Sequence, residues 1–284
     1  MTTAIAQGKV NLVFQVGALT DDYHEVRSIY QAIDLSERVT VEVSQTWEVE
    51  LVSDLPNLGL VPLDETNIVV KSAQALAQSA GISNPQPMKF RIEKQIPVAG
   101  GMAGGSADAA AALVALNEHW CLGKSDQELA AVGAKIGADV PFALLGGTAL
   151  GVGTGTELTE LANCPLLHIV LIINKHPLST GLVFKRFDEL YPDGQVLSDT
   201  LPENYLQHLG ENSLLEPALS LQPGIREVLD IDLGISGGFL SGSGPTVWFV
   251  SESLEATTAA FEKAKALGYN AVQTKTSPLG ARLS

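Results

Sequence analysis

Short apolar strands and helical stretches alternate through the first part of the chain. The stretches KVNLVFQVGAL and RVTVEV flank a polar turn, TDDYHE, and the segment VRSIYQAIDLSE, so residues 8–43 predict a sheet. From Asn67 to Ala80 apolar residues recur at helical spacing, and Gly81 suits the end of that helix. The segment KFRIEKQI, residues 89–96, predicts a further strand.

The centre of the chain predicts a glycine-rich loop followed by helices. Residues 97–105 form the loop, and Ser106 is the predicted N-cap of the helix ADAAAALVALNEHW. SDQELAAVGAKIG predicts another helix, with Ser125 and Glu128 at the two positions of a capping box. GADVPFALLGGTALGVG then predicts a turn that leads into a strand.

The pattern begins again after about Leu161. A buried strand, LLHIVLIIN, precedes the helix TGLVFKRFDELY, a polar loop, the segment SGGFLSGSGPTVWFV and a last helix near residues 254–267. The 284 residues also fit two domains of ordinary size. We therefore predict two domains, residues 1–163 and residues 164–284.

Charge and targeting signals narrow the classes of partner. The 17 Lys and Arg residues face 32 Asp and Glu residues, a net charge of −15 that disfavours nucleic acids and anionic membranes. The start MTTAIAQGKVNL lacks a signal-peptide pattern, and LLHIVLII falls short of the roughly 18 residues of a membrane span. A cytoplasmic protein is predicted.

The two cysteines give no sign of a metal site. Cys121 and Cys164 lack metal-ligand spacing, so we predict buried thiols and no metal cluster.

The segment PVAGGMAGGSADAAA, which starts at Pro97, is the strongest chemical signal. Its four glycines free the backbone to wrap around a ligand, and the following helix directs unpaired N–H groups at the loop. These features predict a phosphate cradle, although the segment fits neither GxxxxGK(S/T) nor GxGxxG. Taken alone, the segment is equally explained as a flexible turn that begins a helix.

Four motifs together resemble one superfamily. GKVNL, the glycine-rich segment, GADVPFA at residues 137–143 and SGSGPT at residues 241–246 are similar in kind and order to those of the GHMP kinases. Within that superfamily the chain most resembles the 4-diphosphocytidyl-2-C-methyl-D-erythritol kinases over almost its whole length. The discriminating segment is GKVNLVFQVGALTDDYHEVRSIYQAIDL, in which a Tyr-His pair precedes an apolar, helix-like stretch.

The resemblance implies a fold, a reaction and cofactors. The fold would be α+β with two domains and the active site in the cleft between them. ATP would phosphorylate the 2-hydroxyl group of 4-diphosphocytidyl-2-C-methyl-D-erythritol, a small molecule with a cytidine diphosphate group, in isoprenoid precursor biosynthesis. Mg2+ is expected because the ATP phosphates need screening, and Ser106 is its expected protein contact.

The nucleotide residues follow from the same resemblance. Asn67 and Lys94 match positions that line the adenine and ribose pocket, although a helix N-cap and an edge-strand charge explain them equally well. Asp108 is expected to compensate the dipole of the following helix. The loop residues expected to bind ATP are Pro97, Val98, Ala99, Gly100, Gly101, Met102, Ala103, Gly104, Gly105, Ser106 and Ala107.

Asp139 and Lys9 are the catalytic candidates that the resemblance implies. Asp139 would accept the proton of the attacking hydroxyl group, and Lys9 beside it would keep that carboxylate ionised. Outside the motifs, Asp139 would be an ordinary turn acid and Lys9 a solvated charge. Asn11 would share the strand face of Lys9 and bind the same substrate hydroxyl groups.

The cytidine end of the substrate is assigned to an aromatic pair and its neighbours. Tyr23 and His24 would hold the cytosine by stacking and by hydrogen bonds to the base edge, although the family has a Gly where Asp22 stands. Phe184 would cover the other face of the base, and helix-core packing explains it equally well. Thr180 and Gly242, in the SGSGPT turn, complete the expected substrate wall.

Three other functions remain open from the sequence. The chain is compatible with another GHMP kinase, acting on homoserine, mevalonate or a sugar. It is also compatible with a catalytically silent ligand-binding protein on the same scaffold. A Rossmann dehydrogenase fits less well, because its glycine fingerprint and strand context are missing.

Overall fold

A computed structural model describes residues 1–20, 23–55, 57–162, 164–198 and 205–284. Two long strands, β1 (Thr2–Thr20) and β2 (Tyr23–Val43), pair antiparallel along most of their length. Their register shifts after Gln7, Asn11 and Val16, as expected for β-bulges. This bulged ribbon is the framework on which Lys9 and Asn11 are placed.

The first sheet contains seven of the described strands in the order β11-β1-β2-β4-β3, with β5 paired to β2 and β6 paired to β5. Its pairings are antiparallel except for β3 with β4. Its remaining strands are β3 (Glu48–Val52), β4 (Met88–Glu93), β5 (Thr148–Val152), β6 (Glu157–Glu160) and β11 (Arg282–Leu283).

Two helices, α2 (Gly104–His119) and α4 (Val140–Leu145), contact the first sheet, and α1 (Ile68–Ser79) and α3 (Asp126–Gly133) pack against α2. α2 contacts both β1 and β2, and its stretch of small, fully buried alanines allows this close approach.

The second sheet is antiparallel and has the strand order β10-β7-β9-β8. The tight central pair β7 and β9 contributes fully buried residues, including Val170 and Trp248. Its strands are β7 (His168–Ile172), β8 (Ser236–Leu240), β9 (Val247–Ser251) and β10 (Ala271–Lys275). Its helices are α5 (Thr180–Leu190), α6 (Leu215–Leu221), α7 (Ile225–Leu229) and α8 (Leu254–Ala266).

The mixture of helices and sheets confirms the predicted α+β class, and several local predictions also hold. Asn67 caps α1 by accepting from the N–H of Val69 at 3.0 Å. Ser125 and Glu128 form the predicted capping box of α3.

Two positions named in the sequence predictions are outside the part of the chain that the structure describes. Asn163 lies outside the described residues, as does Asp22. Among the described residues, no helix has both the length and the apolar character needed to cross a membrane.

The helix-like interpretation of residues 26–35 is wrong, because these residues belong to β2. Ile29 and Ile33 are buried in one hydrophobic cluster, while Tyr30 and Ala32 are buried in another with Phe142. A strand with both faces buried has no polar alternation. Its apolar run therefore resembles that of a helix.

Three smaller predictions are also wrong. Ser106 is not the N-cap of α2: the helix begins at Gly104, and its N-cap Ala103 has a left-handed φ of 57°. The GADVPFALL segment contains the short helix α4 before its strand, since Pro141 suits the first turn of a helix. Cys164 is a buried free thiol as predicted, whereas Cys121 is exposed.

Candidate active site

A cavity of about 600 Å³, here called the phosphate cavity, opens where α2 begins. Most of the predicted nucleotide and catalytic residues meet there, although they come from distant parts of the chain. Those lining the cavity are Lys9, Asn11, Asn67, Lys94, Pro97, Val98, Ala99, Gly100, Gly101, Ala103, Gly104, Gly105, Ser106, Asp139, Thr180, Phe184 and Gly242.

Two of the predicted ATP contacts do not line this cavity. The side chains of Met102 and Ala107 are buried in the main hydrophobic core. Sequence alone did not separate them from their neighbours, because every residue of the motif had been assigned to the ligand. Their side chains anchor the loop, which leaves only their backbone for a nucleotide contact.

Residues 97–103, here called the phosphate loop, are held against β1 and the SGSGPT turn. The N–H of Lys9 donates to the carbonyl of Met102 at 3.2 Å, and the Ser241 hydroxyl donates to the carbonyl of Gly101 at 3.0 Å. Gly101 has a φ of +76°, and a Cβ there would collide with the Ser241 carbonyl oxygen. This position therefore requires glycine.

The N-terminal end of α2 presents unpaired backbone donors to the phosphate cavity. The N–H of Ala107 makes the first helical bond, to the carbonyl of Ala103 at 2.9 Å, so the preceding N–H groups have no helical acceptor. A Cβ on Gly105 would have no neighbour within 4 Å. Open space, free donors and the positive end of the helix dipole make this a suitable phosphate site.

Lys9 and Asp139 lie together at the cavity wall. The Lys9 Nζ is 3.6 Å from Asp139 Oδ2, and it donates to Asn11 Oδ1 at 2.7 Å and to the Gly101 carbonyl at 3.2 Å. The Asp139 side chain is 29% exposed and makes no helix-capping hydrogen bond. Its carboxylate is therefore accessible beside a fixed positive charge.

Tyr30 supports this pair and was missed from the sequence. The Lys9 Nζ lies 5.7 Å from the centre of the Tyr30 ring, and Tyr30 pairs with Asn11 across β1 and β2. Burial, reinforced by the charge of Asp139, holds the pKa of Tyr30 well above its usual value. A neutral phenol ring thus supports the ammonium. Reading residues 26–37 as a strand would have placed Tyr30 opposite Asn11.

The SGSGPT turn completes the wall on the other side of Lys9. Gly242 has a φ of +55°, and a Cβ there would lie 3.0 Å from Asn11 Oδ1 and 3.5 Å from Lys9 Nζ. Thr180 and Ser243 share a hydrogen bond of 2.8 Å between their hydroxyl groups. The turn therefore brings the second sheet against the catalytic candidates.

A second cavity of about 430 Å³, here called the aromatic cavity, adjoins the first. Phe184 lines both cavities, and Tyr23 and His24 line the aromatic one. The Tyr23 side chain is largely exposed, whereas that of His24 is buried. The sequence prediction thus placed these three aromatic residues at one site.

His24 is held by protein groups on both ring nitrogens. Its Nδ1 lies 3.1 Å from the Gly17 carbonyl, and its Nε2 lies 2.9 Å from the Asp188 carboxylate. The ring also contacts Phe184 and Phe187, with centroid separations of 5.3 and 5.5 Å. Asp188 was missed from the sequence because nothing distinguishes it from a solvated helix charge.

Asn67 and Lys94 have structural partners of their own. The Asn67 amide caps α1 and donates to the Pro62 carbonyl at 2.6 Å, as the N-cap alternative predicted. The Lys94 ammonium is buried and lies 2.9 Å from Glu37 and 2.7 Å from Asp108. The prediction that Lys94 is an edge-strand charge is therefore wrong, and Asp108 accepts a hydrogen bond from Lys94 rather than acting as a dipole compensator.

Two carboxyl groups share one ammonium in this cluster. Burial raises the pKa of both Glu37 and Asp108, although the charge of Lys94 opposes both shifts. Each Glu37 oxygen faces N–H donors, whereas Asp108 Oδ1 is buried and has no partner among the described residues. We therefore place the proton that burial favours on Asp108.

Comparisons with known proteins agree with this arrangement. A family model described as GHMP kinases N terminal domain matches residues 67–147. The chain is 40% identical to the 4-diphosphocytidyl-2-C-methyl-D-erythritol kinase of Rhodococcus jostii (strain RHA1), over 98% of this chain and 93% of the relative. Identity to the kinase of the same name from Nocardia farcinica (strain IFM 10152) is 41%, over 98% of this chain and 94% of the relative.

A solved structure has the same fold. A crystal structure of 4-(cytidine 5'-diphospho)-2C-methyl-D-erythritol kinase superposes with a TM-score of 0.76 at 28% identity, covering 97% of this chain and 99% of that one. This similarity and the family model confirm the predicted GHMP kinase fold.

Proposed function

Because the chain belongs to the 4-diphosphocytidyl-2-C-methyl-D-erythritol kinase family, as its motifs predicted, we propose that it phosphorylates the 2-hydroxyl group of that substrate. It is an ATP-dependent small-molecule kinase of the GHMP type. The observation that carries the substrate proposal is the contact of the two cavities at Phe184. One cavity offers the phosphate and proton chemistry, and the other offers aromatic surface for a base.

Asp139 is proposed as the general base. Its accessible carboxylate would accept the proton of the 2-hydroxyl group while that oxygen attacks the γ-phosphorus of ATP and ADP leaves. The ammonium of Lys9, 3.6 Å away, would offset charge on the transferring phosphoryl group. Asn11 holds the Lys9 ammonium in this position through its 2.7 Å hydrogen bond.

The phosphate loop and α2 are proposed to bind the phosphates of ATP. Gly104, Gly105 and Ser106 line the phosphate cavity, and their N–H groups, which have no helical acceptor, support this role. Backbone N–H groups bind the phosphates of both ATP and ADP. The start of α2 would therefore contribute nucleotide affinity and align the phosphate chain. Proton transfer is left to Asp139.

Mg2+ is proposed as the metal cofactor, with Ser106 as its protein contact. The Ser106 hydroxyl lines the cavity and makes no hydrogen bond within the described residues. No cluster of three or more His, Cys, Asp or Glu side chains suited to a metal occurs in the part of the chain that the structure describes. Mg2+ takes few protein ligands and would be completed by phosphates and water. Bound there, it would offset phosphate charge.

The aromatic cavity is proposed to hold the cytidine end of the substrate. Tyr23 and Phe184 provide ring surfaces for stacking, and the charged Lys185 lies on the same cavity. His24 would act by holding the wall, since Gly17 and Asp188 already occupy both of its ring nitrogens. The base edge would then meet backbone groups and other side chains.

Domain division, partners and location are further parts of the proposal. A boundary near residue 163 is supported by the chain order, because β1 to β6 precede it and β7 to β10 follow it, although β11 at the end of the chain pairs with β1 in the first sheet. The net charge of −15 supports the absence of nucleic-acid and membrane partners. A cytoplasmic location is consistent with the use of ATP.

The test of function is a comparison of phosphoryl acceptors. The purified chain is mixed with ATP, Mg2+ and either the cytidine substrate, mevalonate or homoserine, and ADP release is followed. We expect rapid release with the cytidine substrate alone. Release with only a control acceptor would reassign the substrate within the GHMP kinases, and silence with all three would favour a ligand-binding protein.

A further inference from the structure

We propose that Glu37 is a positioning residue that fixes both ends of the phosphate loop. The inference rests on the proposed function only in so far as ATP binds at this loop. Glu37 lies in β2, far from the loop in sequence, and its side chain is completely buried. No contact with ATP is assigned to it, so it would act through the backbone that it holds.

The entry to the loop is tied to Glu37 by its backbone. The N–H of Gln95 donates to Glu37 Oε2 at 2.9 Å, and the N–H of Ile96 donates to Oε1 at 3.3 Å. These two residues immediately precede Pro97, the first residue of the phosphate loop. A buried carboxylate that accepts two successive backbone N–H groups fixes the direction in which the chain enters the loop.

The C-terminal end of the loop also lies close to the Glu37 side chain. A Cβ on Gly104, the first residue of α2, would lie 3.3 Å from Glu37 Oε1 and 3.1 Å from the Ile96 side chain. Glycine thus allows the start of the helix to approach the Glu37 carboxylate closely. Both ends of the seven-residue loop therefore lie against one buried carboxylate, that of Glu37.

Lys94 extends this support into the second turn of α2. Its ammonium donates to Glu37 Oε1 at 2.9 Å and to Asp108 Oδ2 at 2.7 Å, so β2, the end of β4 and α2 are linked. Lys94 also lines the phosphate cavity, which connects the cluster to the site of the nucleotide. A displaced Glu37 would therefore shift both the loop and the ammonium.

The chemistry of the contacts requires a carboxylate at position 37. Every hydrogen-bond partner of its two oxygens among the described residues is a donor: the Lys94 ammonium and the N–H groups of Gln95 and Ile96. An amide in the same place would direct an NH2 group at one of these donors. The matched substitution Glu37→Gln therefore conserves volume and breaks the anchoring.

The test measures nucleotide affinity and turnover in Glu37→Gln, Glu37→Asp and a control, Glu93→Gln. Glu93 lies on the neighbouring β4, where it is partly exposed and pairs with Arg91. We expect Glu37→Gln to weaken binding of a non-hydrolysable ATP analogue by about tenfold or more, measured by calorimetry. KM for ATP should rise while KM for the phosphoryl acceptor is unchanged, and Glu37→Asp should recover part of the affinity.

Several outcomes would overturn the proposal. One is wild-type nucleotide affinity in folded Glu37→Gln, even if its melting temperature falls; another is an equal effect in Glu93→Gln. If Glu37→Gln does not fold, Glu37→Asp decides: unchanged affinity for the analogue contradicts the proposal. A wild-type protein that binds the analogue without phosphorylating the cytidine substrate would instead contradict the proposed function, and the calorimetric test of Glu37 would still apply.

Discussion

The phosphate cavity and the aromatic cavity are built in different ways. Buried polar groups surround the first, where Lys9, Asn11, Lys94 and Glu37 each hold more than one partner. The second relies on ring packing around His24, and its most prominent residue, Tyr23, is 67% exposed. Buried networks rigidify a site, whereas an exposed ring is free to adjust to its ligand. The comparison assigns chemistry and alignment to the first cavity and selectivity to the second.

The largest effect is expected at the proton acceptor of the phosphate cavity. Asp139→Asn should lower kcat by about 100-fold to 10,000-fold, because the amide cannot accept the hydroxyl proton. Calorimetry should find little change in ATP affinity, since the backbone cradle is unaltered. Asp126→Asn, at an exposed position that begins α3, is the matched control. Near-normal kcat in Asp139→Asn would remove Asp139 from the mechanism.

Backbone conformation in the phosphate loop should give the next effect. Gly101→Ala introduces a side chain at a φ of +76° and against the Ser241 carbonyl, so the free energy of unfolding should fall by about 2 kcal/mol or more. Gly105→Ala is the control, because a Cβ there meets nothing within 4 Å. Chemical denaturation measures both. Equal stability of the two variants would contradict the close contact between loop and turn.

The buried cluster of Glu37, Lys94 and Asp108 beside the phosphate cavity should make the stability of the protein depend on pH. With the proton on Asp108, whose pKa is raised from 3.8 to about 6, the folded chain binds more protons than the unfolded chain between these values. Stability should therefore fall as pH rises through this window, by up to about 1.4 kcal/mol per pH unit. Glu37→Gln leaves one carboxylate for one ammonium and should flatten this dependence in denaturation curves. An unchanged slope would show that the cluster takes up no proton.

The smallest effect is expected at the aromatic cavity. Tyr23→Ala should raise KM for the cytidine substrate by about tenfold through loss of stacking, while KM for ATP and the melting temperature stay unchanged. Leu267→Ala, at another exposed apolar residue beyond α8, is the control. A rise in KM for ATP instead would mean that the two cavities do not divide the substrates as proposed.

Sequence reasoning performed differently in the two regions. The glycine loop was predictable from its local sequence pattern, whereas Lys9 and Asp139 were identified only because their motifs resemble those of the GHMP kinases. Tyr30 was missed because it belongs to the stretch taken as helix-like, and Glu37 was missed because it lies just beyond that stretch and outside every motif. Only strand pairing brings them to Asn11 and Lys94. A strand buried on both faces gives no alternating pattern by which its inward polar residues can be identified.

The aromatic region was predictable as a set of residues but not as a geometry. Tyr23, His24 and Phe184 are brought together as expected, yet the hydrogen bonds of His24 to Gly17 and Asp188 depend on how α5 packs against β1 and β2. Long-range packing of this kind has no signature in a single sequence. The catalytic and binding roles assigned to these residues stay predictions.

A crystal structure with a non-hydrolysable ATP analogue and the cytidine substrate tests the central division of labour most directly. The decisive quantity is the distance from the substrate 2-hydroxyl oxygen to the nearer Asp139 carboxylate oxygen. We predict a hydrogen bond of about 3 Å, with the cytosine beside Tyr23 and Phe184 in the aromatic cavity. A 2-hydroxyl group outside hydrogen-bond reach of Asp139, or a cytosine bound in the phosphate cavity, would contradict the account.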